Sequence, residues 1–251
     1  MKFIYFYSQL YDYYNSHIRN NLSEHFELEN IKIDDLNNTS GHTFFGGVSI
    51  KIELVIQKIK ENMGSTIVFS DATIFVNKRK CQELPSFFES YINNDLVFID
   101  EKQEQSTFCI GLILIKCNNL TLDFFNTVLA DLTFNKGWDQ EVINRLLKTQ
   151  NSLVVNTFDR EKICSGYEFP ESTRNTFLIF KSFIEHKENK YDNFNARIHK
   201  FFKSGLINAE EYRKSIVKDP QTKHRQHELL RQHIQASNNV NKFSRFRKMT
   251  L

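Results

Sequence analysis

Two rhythms of apolar positions alternate along the chain, one of period two and one of period three to four. KFIYFYS at 2–8 is a compact β-rich run and reads as a first strand, with a helix expected after it through about Leu22. FELENIKID at 26–34 supplies a second strand. NNTSGHTFFGG reads as a loop, followed by a helix from about Val48 to Asn62 that brings Ile50, Leu54, Ile56 and Ile59 near one face and ends at Gly64. TIVFS at 66–70 is a continuous β-rich run, the kind buried on both faces of a sheet, and it stops at Asp71. DLVFID at 95–100 and FCIGLILIK at 108–116 read as further strands, the second with Gly111 marking a close backbone approach. Helices are expected from about Leu122 to Leu132 and from Asp139 to Thr149, and SLVVNTF at 152–158 reads as a late strand.

Strands alternating with helices predict an α/β fold with a mostly parallel central sheet flanked by helices. At 251 residues the chain buries enough apolar surface to need no staple. Cys81, Cys109, Cys117 and Cys164 have neither CxxC spacing nor a dense framework, so they read as thiols in a reducing compartment. The opening MKFIYFYSQLYDYY is too short and too rich in tyrosine for a secretory leader, and no stretch has the apolar length of a spanning helix. The expectation is a cytoplasmic protein, soluble or peripherally bound to membrane.

Charge divides the chain at Lys218-Asp219-Pro220. Residues 218–251 hold eight Lys/Arg against Asp219 and Glu228, so this stretch carries +6 and the rest −3 of the +3 total. The expected organisation is a domain over 1–217 and a basic helical tail over 218–251. An anionic membrane surface is the partner the tail would meet; it lacks a nucleic-acid motif, and no nucleic acid is expected as partner.

In open α/β sheets ligands bind beyond the carboxyl ends of the strands, which puts Asp71 where function usually sits. On position alone Asp71 reads equally as a turn or helix-start aspartate. The stretch MGSTIVFSDATIFVN at 63–77 resembles the strand and acidic motif of GT-A, Rossmann-like, nucleotide-diphospho-sugar transferases, usually Asp-x-Asp. Ser70, Asp71 and Ala72 match, and Thr73 stands at the second acid. Three further segments follow in the family's order. Lys51 matches a lysine often directed at the nucleotide-sugar, Gly111 and Lys116 match the segment at 108–125, with Cys109 near the usual Asn, and GWDQEVINRLL at 137–147 is similar to the Asp-Asp-Gln-x-x-x-Asn helix start. There Trp138 replaces the first acid, while Asp139, Gln140 and Asn144 are retained. FIEHKEN at 183–189 resembles the late His-x-Asn element through His186, with Asn189 displaced.

This resemblance implies a glycosyltransferase moving sugar from a nucleoside diphosphate, with UDP favoured, to a glycan, protein or small hydroxyl acceptor. It implies Mn²⁺ or Mg²⁺ on Asp71, Thr73 and His186, and a donor pocket drawn from Tyr7, Ser8, Lys51, Ser70, Asp71, Thr73 and Lys200, with Arg197 as another basic candidate. Asp139 and Gln140 are the catalytic candidates. Two other readings stay open: a degenerate GT-A fold kept for binding or assembly, and a sugar nucleotidyltransferase. Against the second, YSQLYDYYN at 7–15 lacks the glycine and the Lys/Arg of a phosphate-binding first loop.

Overall fold

A computed structural model describes residues 1–7, 12–33, 44–101, 107–135, 137–165 and 176–180, all within one compact unit, Met1–Asn208. Ser8, His186, Asn189, Arg197, Lys200 and the basic tail at 218–251 lie outside the described residues.

The predicted alternation is present. Strand β1 (Lys2–Tyr7) leads through α1 (Asp12–Leu22) to β2 (Glu27–Lys32), and α2 (Phe44–Glu61) leads to β3 (Thr66–Asp71). After β4 (Ile74–Val76) and α3 (Leu84–Glu89) come β5 (Leu96–Glu101), β6 (Thr107–Lys116), α4 (Asn119–Asn135), α5 (Asp139–Leu147) and β7 (Val155–Thr157). Six of these strands form one sheet in the order β2-β1-β3-β6-β5-β7. The pairs β1–β2, β1–β3 and β5–β7 are parallel, while β6 runs antiparallel to β3 and β5. The sheet is therefore mixed, with one reversed strand among five that point the same way.

Pleating decides which side chains meet which helix. Ile67 and Phe69 of β3 join Ile4, Ile113 and Phe98 in the core that α2, α4 and α5 cover. Asp71, two residues beyond Phe69, projects on that same face, toward α2. The buried stripe of α2 is Ile52, Val55, Ile56 and Ile59, with Lys51 as its buried polar first member. This corrects the expected face: Ile50 and Leu54 are only half-buried. The helix also begins at Phe44, taking up Gly46 and Gly47 that read as loop; two helical glycines cost about 1 kcal/mol each, which a long helix packed on a sheet can offset.

Local chemistry fixes the element ends. Gly64 turns the chain with φ +85°, a conformation cheap only for glycine, and its N–H donates to the Cys117 carbonyl at 2.8 Å. Asn118 caps α4: its Oδ1 accepts from the Thr121 N–H at 2.9 Å, and Thr121 Oγ1 accepts from the Asn118 N–H at 3.2 Å. Asp95, buried before β5, accepts from Asn118 Nδ2 and from the Val154 N–H, both at 2.9 Å, and so ties β5 to the loops beside it.

Sequence patterning did not anticipate a second sheet. β8 (Ile163–Ser165) and β9 (Leu178–Phe180) join β4 in the order β4-β9-β8. Each strand is three residues long, too short for a periodic signal. Aromatic packing seats the sheet: Phe87 meets Phe177 edge-on at 5.2 Å, and Phe158 meets Phe88 at 5.6 Å. His17 of α1 is buried and accepts the Val76 N–H at 3.0 Å through Nε2, joining β4 to the helix.

Candidate functional site

The chain order places a reversal between β1 and β3. From β1 the chain crosses by α1 to β2 on one side, then by α2 to β3 on the other, so the crossover helices lie on opposite faces and the carboxyl ends of β1 and β3 form a switch point, the place where open α/β sheets bind ligands. Phe6 is in register with Asp71 there, and Tyr7, buried with its ring 6.3 Å from Tyr5, ends β1 at the same edge.

A charged cluster occupies this edge. Lys51 Nζ lies 2.9 Å from Asp71 Oδ1 and 3.9 Å from Asp139 Oδ2, and donates to the Ile110 carbonyl at 3.0 Å. Its Nζ also stands 5.9 Å from the centre of the Phe6 ring. The lysine side chain is 8% exposed, against 26% for Asp71 and 13% for Asp139, so the ammonium is sealed inside and the carboxylates line its open side. Burial lowers the pKa of Lys51, but Asp71 and then Asp139 outweigh it, and the ammonium is held above the ordinary lysine value. Burial in turn holds the Asp71 carboxyl above the usual carboxylate value, although Lys51 pulls it down.

A bulge in β6 supplies the carbonyl. Phe98 pairs with Ile113 but Ile99 with Cys109, so Ile110, Gly111 and Leu112 stand opposite no residue of β5. The Ile110 carbonyl is thereby turned to Lys51. Ser70 has no exposed surface; its Oγ lies 2.7 Å from the Asp71 carbonyl and 3.2 Å from the Gly111 carbonyl, so the hydroxyl holds β3 against the bulge. Thr73 is also buried, on the turn between β3 and β4.

Asp139 begins α5 but does not cap it. Trp138 is the N-cap residue, and Asp139 is the first helical residue, where a carboxylate is favoured by the helix dipole. Its Oδ1 accepts the Gln140 N–H at 3.0 Å, which turns Oδ2 over to Lys51. Asn144, one turn on, binds both main-chain groups of Phe108: Oδ1 accepts the N–H at 2.6 Å, and Nδ2 donates to the carbonyl at 2.8 Å. α5 is thus stitched to β6 just beside the bulge. Asn144→Leu leaves both Phe108 groups unpaired and is expected to lower stability by about 1–3 kcal/mol, read from the midpoint of urea unfolding.

The structure thus brings together Lys51, Asp71 and Asp139 from three separated segments, with Tyr7 and Ser70 beside them. The Ile110 carbonyl was not foreseen, because a main-chain group leaves no residue-type signal; only Gly111 hinted at it. Among the described residues no three His, Cys, Asp or Glu side chains cluster as a metal cage. Mg²⁺ and Mn²⁺ beside phosphates need no such cage, since one or two carboxylates suffice when waters and substrate oxygens complete the shell. Asp71 fits that lesser demand. Its buried Oδ1 accepts no hydrogen bond beyond the ion-pair contact, and the rest of the carboxylate keeps its exposure.

The sequence profile of the nucleotide-diphospho-sugar transferases matches residues 61–203, more than half of the chain and the span that holds Asp71 and Asp139. The chain belongs to this family of sugar-transferring enzymes. Solved structures agree on the fold. A glycosyltransferase involved in glycosylation of the major capsid of PBCV-1 superposes with a TM-score of 0.57 at 12% identity, covering 78% of this chain and 97% of that one. The galactosyltransferase LgtC, solved with donor and acceptor sugar analogs, gives 0.52 at 12% identity, covering 85% and 99%. At these identities the likeness extends to the GT-A fold alone. No curated protein sequence matches the transferase. Among its described residues no helix is long and apolar enough to cross a membrane.

Proposed function

We propose that this transferase moves a sugar from a nucleoside diphosphate, UDP in first place, to a hydroxyl of a glycan, protein or small acceptor, with Mn²⁺ or Mg²⁺ held at Asp71. The observation that carries the reading is the Lys51–Asp71–Asp139 cluster at the strand ends of the switch point. Breaking the sugar–phosphate bond builds negative charge on the departing diphosphate, and the Lys51 ammonium, already engaged by Asp71 and Asp139, is not free to meet it. A divalent ion supplies the missing positive charge as Lewis acid and template. Asp71 would hold it, with Thr73 and His186 as the further candidate ligands.

The protein's own groups have separate tasks. Lys51 fixes Asp71 and Asp139 at a set spacing, because its ammonium is anchored from behind by the Ile110 carbonyl. Asp139 offers Oδ2 to a sugar hydroxyl, with Oδ1 tethered to its own helix, and Gln140 follows it at the helix start. Tyr7 and Ser8 border the nucleotide, and Lys200 meets the diphosphate. Ser70 acts through the backbone it holds. The protein works in the cytoplasm, where the basic tail at 218–251 meets anionic membrane.

Thermal unfolding with UDP, GDP, CMP or ATP, each with Mn²⁺ or with chelator, tests this reading. At a hundred times Kd a true donor nucleotide raises the midpoint by about 5–10 °C, because it binds only the folded chain. One nucleoside diphosphate doing so only with metal is the expected result; no shift with any nucleotide overturns the reading.

A further inference from the structure

Of the three cysteines whose side chains are described, one reaches solvent. Cys109 and Cys117 are buried, and burial pushes the Cys117 thiol up to about 12, which keeps it protonated and inert. Cys81 is half-buried. What sets it apart is an imidazole from a distant segment: its Sγ lies 3.4 Å from His25 Nε2. Cys81 opens the 3₁₀ turn Cys81–Glu83 that leads into α3, and His25 stands in the turn between α1 and β2. Aromatic packing pins the two segments together. Phe26, next to His25, meets Phe88 of α3 edge-on at 5.9 Å and Phe3 of β1 at 5.6 Å. The pair lies toward the amino end of β2, whereas Asp71 ends β3 at the opposite edge of the sheet, so it is separate from the Lys51 cluster.

The thiol proton has two acceptors within reach. The Lys78 carbonyl, 3.2 Å from Sγ, can only hold it. His25 Nε2 can take it whenever the ring carries its own proton on Nδ1, and can then return it. A half-exposed thiol with a base in contact is equipped to act as a nucleophile. The charges beside it choose its co-reactant. Lys78, Arg79 and Lys80 precede Cys81 directly, against Glu24 and Glu83, so the formal balance is positive and favours an anion. Lys80 is held by Glu83 at 2.6 Å, while Lys78 and Arg79 are exposed.

We propose that Cys81 and His25 form a thiol-modification site, where an anionic low-molecular-weight disulfide exchanges onto Cys81. His25 Nε2 takes the thiol proton as Cys81 Sγ attacks one sulfur of the disulfide. A new S–S bond forms, the old one breaks, and the departing sulfur recovers the proton from the imidazole. Cys81 is oxidised and half of the disulfide leaves as reduced thiol, so no further oxidant is needed. Excess small thiol runs the exchange backward, which makes the modification reversible. The site goes beyond sugar transfer and does not depend on it.

The full chain is incubated with oxidised glutathione, and mixed disulfide is followed at each cysteine by mass spectrometry of non-reduced tryptic peptides. Cys81, Cys109, Cys117 and Cys164 fall in different peptides, so each thiol is read separately. Cys81 is expected to be modified first. His25→Gln keeps a side chain of similar size but removes the base, and should slow the reaction at Cys81 about tenfold or more, with thermal unfolding confirming that the variant is folded. Equal rates in the two proteins overturn the pair, and modification of another cysteine ahead of Cys81 overturns the site. A measurement on the unaltered chain needs no variant: at neutral pH, iodoacetamide should label Cys81 faster than it labels free mercaptoethanol, and a rate no higher than that overturns the proposal as well. Cystamine, a cationic disulfide, tests the charge. With each rate taken relative to that of mercaptoethanol, oxidised glutathione should be preferred at low salt, and the preference should shrink in about 0.5 M salt. Preference for cystamine overturns the anionic co-reactant.

Discussion

Lys51→Met is expected to destabilise the transferase by about 3 kcal/mol, because it strands two carboxylates around a space that held their shared cation. Lys51 is nearly sealed, and its ammonium meets Asp71, Asp139 and the Ile110 carbonyl at once. Methionine fills much the same volume, so the loss is electrostatic and not a cavity. Urea unfolding checks it directly. A second substitution separates charge from packing: in Lys51→Met with Asp71→Asn, one of the stranded charges is gone, and more than about 1 kcal/mol of the loss should return as coupling between the two sites. A single-variant cost below about 1 kcal/mol would mean that the ammonium is replaced by solvent and holds nothing in place. Sugar transfer should fall with stability, on the order of a hundredfold, since the spacing of the two acids is no longer fixed.

Asp71→Asn has the opposite profile. Asparagine keeps the shape of the side chain, and Asp139 remains beside Lys51, so the unfolding midpoint should move little. Transfer should drop roughly 10²–10³-fold, the usual size of a lost electrostatic contact to the departing group. The stabilisation by a nucleoside diphosphate with Mn²⁺ should vanish in the same variant. Unchanged metal-dependent nucleotide affinity in Asp71→Asn would take Asp71 out of the donor site and leave it as a partner of Lys51 only. Read together, the two variants divide the cluster into a member that holds the site together and one that faces the ligand.

Much of this was legible in the residue order, and particular elements show why. The runs at 2–8 and 66–70 are continuous and β-rich, and they became the neighbouring central strands β1 and β3. Asp71 was visible because Ser70, Asp71 and Ala72 follow a buried run in the order of the family's acidic motif; its position alone suited a turn or helix-start aspartate as well. Asn118 and Thr121 carry the capping pattern of a helix start, yet the helix had been expected only from Leu122, since apolar spacing marks a helix's middle better than its ends. β4, β8 and β9 were not legible at all: three residues cannot show a period, and their partners lie up to about a hundred positions away.

The sequence by itself determined the class of fold, the main central strands and the family, and it named the acidic residues of the candidate site, because each of these is written in local patterns of burial and residue type. Tertiary structure alone decided three other things. The first is that Lys51, which the family resemblance directed at the nucleotide-sugar, is buried between Asp71 and Asp139; this depends on α2 crossing to the one face onto which the pleat turns Asp71. The second is that the bulge at Ile110–Leu112 spends a main-chain carbonyl on that lysine, a group every residue possesses and no sequence can mark. The third is that Asn144 binds Phe108 and so sets α5, and with it Asp139, against the sheet. Each of these is a long-range contact, and its energy depends on where two distant segments meet and not on what either one contains.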